Sequence, residues 1–184
     1  MKLLAFWVLS AVCCVSASAQ HYSPESKASL SYEEAERLMN DTHYYAASQS
    51  LKEYLSQPSL PSDKRIAAEE LMLICDYYLQ KPGTAERIYE WLEQNPHALY
   101  ADRLALLRAN LLVKEDSFTE ALSIYQSRLG TIYDMYDAER EETMICYALS
   151  LINNDNIDEA DVIILSLQNC KTHQMDMVYY LEVL

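Results

Sequence analysis

Apolar residues recur along this chain three and four positions apart, the spacing that gathers them on one face of an α-helix. A first segment carries Leu38, then Tyr44, Ala47, Leu51 and Tyr54 beyond the polar Asp41. A second carries Tyr78, Ala85, Tyr89 and Leu92 and stops at Pro96. A third carries Ala109, Leu112, Phe118, Ala121 and Tyr125, and a fourth Ala148, Leu151, Ile157, Ala160, Ile164 and Leu167. A short polar turn interrupts each segment. Each therefore predicts two helices joined by a tight connection, the second opening on an aromatic or apolar residue and burying an alanine. Those alanines, at 47, 85, 121 and 160, are 38, 36 and 39 residues apart. The prolines at 24, 58, 61, 82 and 96 fall between the periodic runs. Inside a helix each would cost about 3 kcal/mol, so they read as punctuation. The pattern predicts an all-α protein.

The opening helices share a second pattern, large–large–small–large. Leu71, Ile74, Cys75 and Tyr78 fit it, as do Met144, Tyr147, Ala148 and Leu151. Ala105, Arg108, Ala109 and Leu112 fit except at Arg108. The small residue admits the second helix of the hairpin, and the large ones fill the ridges around it. On these residues the chain resembles the tetratricopeptide family, whose repeat is about 34 residues long, with slightly longer loops here. The resemblance covers roughly residues 30 to 170 and implies an α-solenoid, a right-handed superhelix of antiparallel hairpins. The wording around Asn95-Pro96 and Ala98-Leu99-Tyr100-Ala101-Asp102 is similar to longer-period repeats of bacterial envelope proteins. The chain as a whole resembles exported tetratricopeptide proteins of Bacteroidetes.

The two ends break the pattern. Lys2, the apolar run Leu3 to Val15 and Ala17-Ser18-Ala19 have the make-up of a cleaved secretory signal over residues 1–19, with cleavage between Ala19 and Gln20. Residues 20–30 are expected to be disordered, and residues 31–170 to form four hairpins. Ser31 and Glu34 make a capping-box pattern at the start of the first. Residues 171–184 read as one unpaired helix. It is either a cap or the start of a truncated fifth repeat, and the apolar Val178, Tyr179, Tyr180, Leu181, Val183 and Leu184 favour the second. No segment beyond the signal is long and apolar enough to cross a bilayer. The expected location is the periplasm or cell envelope.

Composition sharpens this picture. Of 184 residues 51% are hydrophobic, enough for a continuous core, and only Gly83 and Gly130 are glycine. So little glycine favours helices over sheets with their turn-rich connections. The formal net charge is −14, and loss of Lys2 with the signal makes it −15. Such a surface repels phosphate backbones, so nucleic acid is not an expected partner.

Candidate chemistry is sparse, and no enzyme activity or cofactor is expected. Of four histidines, at 21, 43, 97 and 173, none pairs with another at metal spacing. Cys170 and His173 make half of a zinc-like motif without its other half. The acids of Asp155 to Asp161 lack the glycine and ligand order of a calcium loop; Asn156, Asp158 and Glu159 suit a helix start instead. Glu139, Glu141 and Glu142 have the same explanation. Two glycines leave no phosphate loop. Cys75, Cys146 and Cys170 are odd in number after cleavage, and the first two are expected as small buried residues. Of the 15 tyrosines most are expected in packing positions, Tyr78, Tyr89, Tyr125 and Tyr147 among them.

The family resemblance also implies where binding would occur. First helices of successive hairpins line a concave groove. In the register above this puts Glu69, Met72, Asp76 and Leu79 on the wall in the second repeat. The third would supply Arg103, Leu106, Asn110, Val113 and Lys114, and the fourth Glu142, Ile145, Leu149, Ile152 and Asn153. Such a wall suits an extended peptide or a partner helix. The expected function is therefore an exported, non-catalytic protein-interaction scaffold. The alternatives are a glycan-associated helper of an outer-membrane uptake system, with tyrosines stacking on sugars, and the N-terminal repeat region of a larger envelope protein.

Overall fold

The computed structural model describes residues 24–135, 137–169, 175–181 and 183. The signal segment with Ala19 and Gln20, the Cys170–His173 pair and Glu182 lie outside the described residues. Ten helices and no strand occur among those that are described. They are α1 Pro24–Asn40, α2 Tyr44–Leu55, α3 Ser62–Tyr78, α4 Thr84–Gln94, α5 Ala101–Lys114, α6 Phe118–Ser127, α7 Leu129–Asp134, α8 Asp137–Ile152, α9 Ile157–Asn169 and α10 Met175–Leu181. The first starts at Pro24, seven residues before the expected Ser31, so Ser31 sits within a helix and does not cap one.

Neighbours in sequence are neighbours in space. α1 packs on α2, α2 on α3, α4 on α5, α5 on both α6 and α8, and α8 on α9. A second line of contacts runs through the opening helices alone, from α1 to α3, α3 to α5 and α5 to α8.

Four turns have the same backbone. Thr42, Gln80, Asp116 and Asp155 are the only non-glycine residues with positive φ among those described, at 61°, 51°, 59° and 61°. Each lies five positions before one of the four alanines. At each turn the next residue donates its N–H five residues back. His43 reaches the Leu38 carbonyl, Lys81 reaches Asp76, Ser117 reaches Leu112 and Asn156 reaches Leu151, at 2.7 to 3.1 Å. Inside each runs a shorter bond: Thr42 to Met39, Gln80 to Tyr77, Asp116 to Val113 and Asp155 to Ile152. This is the Schellman ending, which satisfies the last carbonyls of α1, α3, α5 and α8. Glycine usually holds the left-handed position because it has no Cβ to clash there. Here larger residues do, which is how a chain with two glycines makes four such turns.

The interior follows the small–large pattern. Ala47, Ala121 and Ala160 are buried, and so are Cys75, Ala109 and Ala148 on the opening helices. Ala85 is only partly buried. Around them Leu51, Ile74, Ile88, Leu104, Leu107 and Leu151 are fully enclosed. Each such side chain stabilises the fold by about 1.5–3 kcal/mol relative to its exposed state. Tyr125 and Tyr147 are buried and Tyr78 half-buried, but Tyr89 is 42% exposed. Tyr89 instead offers its ring to the Arg108 guanidinium, 4.8 Å from its centroid. Arg108, the residue that departs from the large-residue pattern, therefore reaches across to α4 and also pairs with Glu120 on α6.

α7 was not expected from the apolar pattern. It fills the long connection between α6 and α8, with Ile132 buried beneath it. At the other end α10 packs on α8 and α9. Val178 and Leu181 join Ile145, Ala148, Ile164 and Leu167 in a small separate core, while Tyr179, Tyr180 and Val183 stay exposed.

Candidate functional site

The opening helices enclose a cavity of about 700 Å³. Glu36, Met39 and Asn40 reach it from α1, with Thr42 and Tyr44 from the turn and the start of α2. Leu71, Ile74 and Tyr78 come from α3, Tyr100 and Arg103 from the start of α5, and Ala138, Glu139 and Glu142 from the start of α8. Residues from α1, α2, α3, α5 and α8 thus meet at one place. The size lies within the range of about 300–1,000 Å³ usual for ligand pockets.

A polar network forms part of its wall. The Arg103 side chain holds Glu139 from two atoms: Nε donates to Oε2 at 3.0 Å and to Oε1 at 3.2 Å, and a terminal nitrogen donates to Oε1 at 3.2 Å. The Tyr78 hydroxyl donates to the same Oε1 at 3.0 Å. The Glu139 side chain is 2% exposed, so this carboxylate is buried and compensated. Burial works against the Arg103 charge, but Glu139 outweighs it and holds the guanidinium above its usual range. Tyr44 and Tyr78 stack with centroids 4.2 Å apart and planes 9° from parallel, and Tyr77 meets Tyr78 edge-on. Burial raises the pKa of both stacked phenols, and the Glu139 carboxylate raises them further. Both are neutral at physiological pH.

Behind this wall lies a second, fully buried network. Asn110 accepts a 2.8 Å bond from the Tyr125 hydroxyl at Oδ1 and donates from Nδ2 to Thr143 at 3.1 Å and Tyr77 at 3.3 Å. It ties α3, α5, α6 and α8 into one register.

Of the groove residues expected from sequence, only Arg103 and Glu142 line the cavity. Asp76, Leu106, Asn110, Val113 and Ile145 are buried among helices and present no surface. Asp76 is clasped by Lys81 and Arg87, which fixes α3 to α4. Glu69 and Met72 line a smaller groove of about 280 Å³ beside Trp91, whose indole donates to Glu69 at 3.2 Å. Leu79, Leu149 and Ile152 are half-buried, and Asn153 is exposed. Lys114 is exposed and pairs with Glu142 at 2.9 Å. The difference is one of helix rotation. Leu71, Ile74 and Tyr78, assigned to the hairpin interior by their spacing, serve both the core and the cavity wall. The contributions of α1 and the start of α2 were missed because the opening helix is weakly periodic. Glu139 was read only as a helix-start acid.

Among the described residues no group of three or more histidine, cysteine or acidic side chains is placed to hold a metal ion, and no helix is long and apolar enough to cross a membrane. Cys75 and Cys146 are free and buried, and burial pushes both thiols up to about 12. Comparison with known protein families, with curated proteins and with solved structures finds no match to this chain.

Proposed function

We propose that this protein is a non-catalytic interaction scaffold of tetratricopeptide type, a stack of four helical hairpins that takes an extended peptide or a partner helix in the cavity between its opening helices. The observation that carries the reading is the convergence of residues from α1, α2, α3, α5 and α8 on one cavity of about 700 Å³. A catalytic pocket needs a nucleophile, base or metal poised on it. This one instead offers an already paired Arg103–Glu139 couple, neutral tyrosines and the apolar Met39, Leu71 and Ile74. Four identical turns at the spacing of the alanines support the repeat reading. The leader-like make-up of residues 1–19 supports export to the periplasm or envelope.

The test is selection of peptides from a random display library on the purified protein, followed by binding to variants that fill the cavity. Asn40 and Ala138 line it and are exposed, so Asn40→Trp and Ala138→Trp obstruct it without entering the core. Selected peptides should lose at least tenfold in affinity on either variant. Peptides that bind both variants as well as the parent would refute the cavity as the docking site.

A further inference from the structure

The cavity has a charge that its packing role does not demand. Three carboxylates line it, Glu36, Glu139 and Glu142, against the single guanidinium of Arg103. Glu139 is spent on Arg103 and Tyr78. Glu142 shares its charge with Lys114, a pair whose side chains are 49% and 28% exposed and therefore weak and easily exchanged. Glu36 has no ion-pair partner among the described residues. One negative charge is left over at the cavity, in a protein that already carries −14.

The tyrosines of the same wall add a second attraction for cations. The Tyr44 and Tyr78 rings line the same space. A guanidinium or ammonium over a tyrosine face gains about 0.5–2 kcal/mol, more as water is excluded. The fold uses this contact twice elsewhere, with Arg108 over Tyr89 and Lys114 over Tyr77 at 5.3 Å. An anionic group, such as a chain-terminal carboxylate or a phosphate, would meet the unpaired Glu36 carboxylate and the weakly paired Glu142 instead.

We infer that the cavity selects a basic side chain, the guanidinium or ammonium of an arginine or lysine in the docked segment, which sits between Glu36 and Glu142 and against the tyrosine pair. This rests on the reading of the cavity as a peptide-docking site. Glu139 and Arg103 position the wall and do not touch the guest charge. Affinity should weaken with salt, because the Debye length shrinks from about 30 Å at 0.01 M to about 8 Å at 0.15 M ionic strength.

The probes are three pentapeptides, acetyl-Ala-Ala-X-Ala-Ala-amide, with arginine, its neutral isostere citrulline, or glutamate at X. They are titrated into isotope-labelled protein by NMR. The arginine peptide should shift the Asn40, Tyr100 and Ala138 amide signals and bind at least tenfold more tightly than the citrulline peptide. The glutamate peptide should leave those signals unmoved. Glu36→Gln and Glu142→Gln, both on accessible positions, should each weaken the arginine peptide severalfold and the citrulline peptide far less, with thermal melts confirming that both variants fold. Equal binding of arginine and citrulline peptides at the cavity signals would overturn the charge selection while leaving peptide docking intact. Shifts scattered over the acidic surface would overturn it too, as would cavity signals that none of the peptides moves. Docking itself stands or falls separately on the cavity-filling variants.

Discussion

Asn110→Leu isolates the contribution of the buried polar network, because leucine keeps the branched skeleton of asparagine and removes only its polar atoms. Asn110 is fully enclosed and bonds three hydroxyls. Two of these have somewhere else to turn. Thr143 can bond a carbonyl of its own helix, and Tyr77 lies near the Glu142 carboxylate, an acceptor it can turn to. Tyr125 loses its carbonyl acceptor and keeps only the weakly accepting sulfur of Cys146 beside it, while it remains fully buried. A stranded buried donor costs about 1–3 kcal/mol, and each lost hydrogen bond about 0.5–1.5 kcal/mol. The expected loss is about 3 kcal/mol. With a urea m-value of about 2 kcal/mol/M, the midpoint should fall by about 1.5 M, followed by circular dichroism. The decisive readout is the sign of a second change. In the parent, Tyr125→Phe removes a hydrogen bond and should destabilise by about 1 kcal/mol. In the Asn110→Leu background it removes the stranded donor and should stabilise by a similar amount. If Tyr125→Phe costs the same in both backgrounds, the network reasoning is wrong.

Gln80→Gly should stabilise the protein by about 1 kcal/mol, since φ of 51° strains a residue with a Cβ and glycine relieves it; a lower melting temperature would count against the turn assignment. Cys75 and Cys146, with thiols pushed up to about 12, should resist a disulfide reagent at pH 8 in the native protein and react on unfolding. Rapid native labelling of either would contradict its burial. Burial raises the Glu70 pKa, partly offset by the Tyr100 N–H that donates to it at 2.9 Å. The folded state therefore holds this proton more tightly than the unfolded chain does. Its stabilising contribution is present below the ordinary value of 4.5 and is lost as pH rises through the folded pKa. Glu70→Gln should accordingly be more stable than the parent at neutral pH, with the gap closing toward acid. A gap independent of pH would refute this.

The helices were legible because their signal is local. Apolar spacing is read directly along the chain, and the small residues at 47, 75, 109, 121, 148 and 160 are buried as their positions require. The turns were legible in place but not in mechanism. Glycine marks a left-handed residue in sequence, and Thr42, Gln80, Asp116 and Asp155 carry no such mark. Tyr89 misled for a related reason. It leaves its expected packing position to meet Arg108, and that contact involves two helices whose packing angle no single periodicity reveals.

The cavity was the least legible feature because it depends on how helices rotate against each other. Within one helix, spacing separates inside from outside. Between helices, a rotation of about 100° per residue exchanges one set of wall residues for the next. That rotation is set by long-range pairs, and the sequence records them only as isolated polar residues in apolar runs. Asn110 is such a residue: assigned to the groove by its spacing, it lies instead behind the wall and locks α3, α5, α6 and α8 together. Arg103 is another, since its bond to Glu139 fixes the start of α5 against the start of α8. Polar residues that interrupt an apolar helical face therefore mark the hinges of register in this fold. The cavity wall follows from which partners they find.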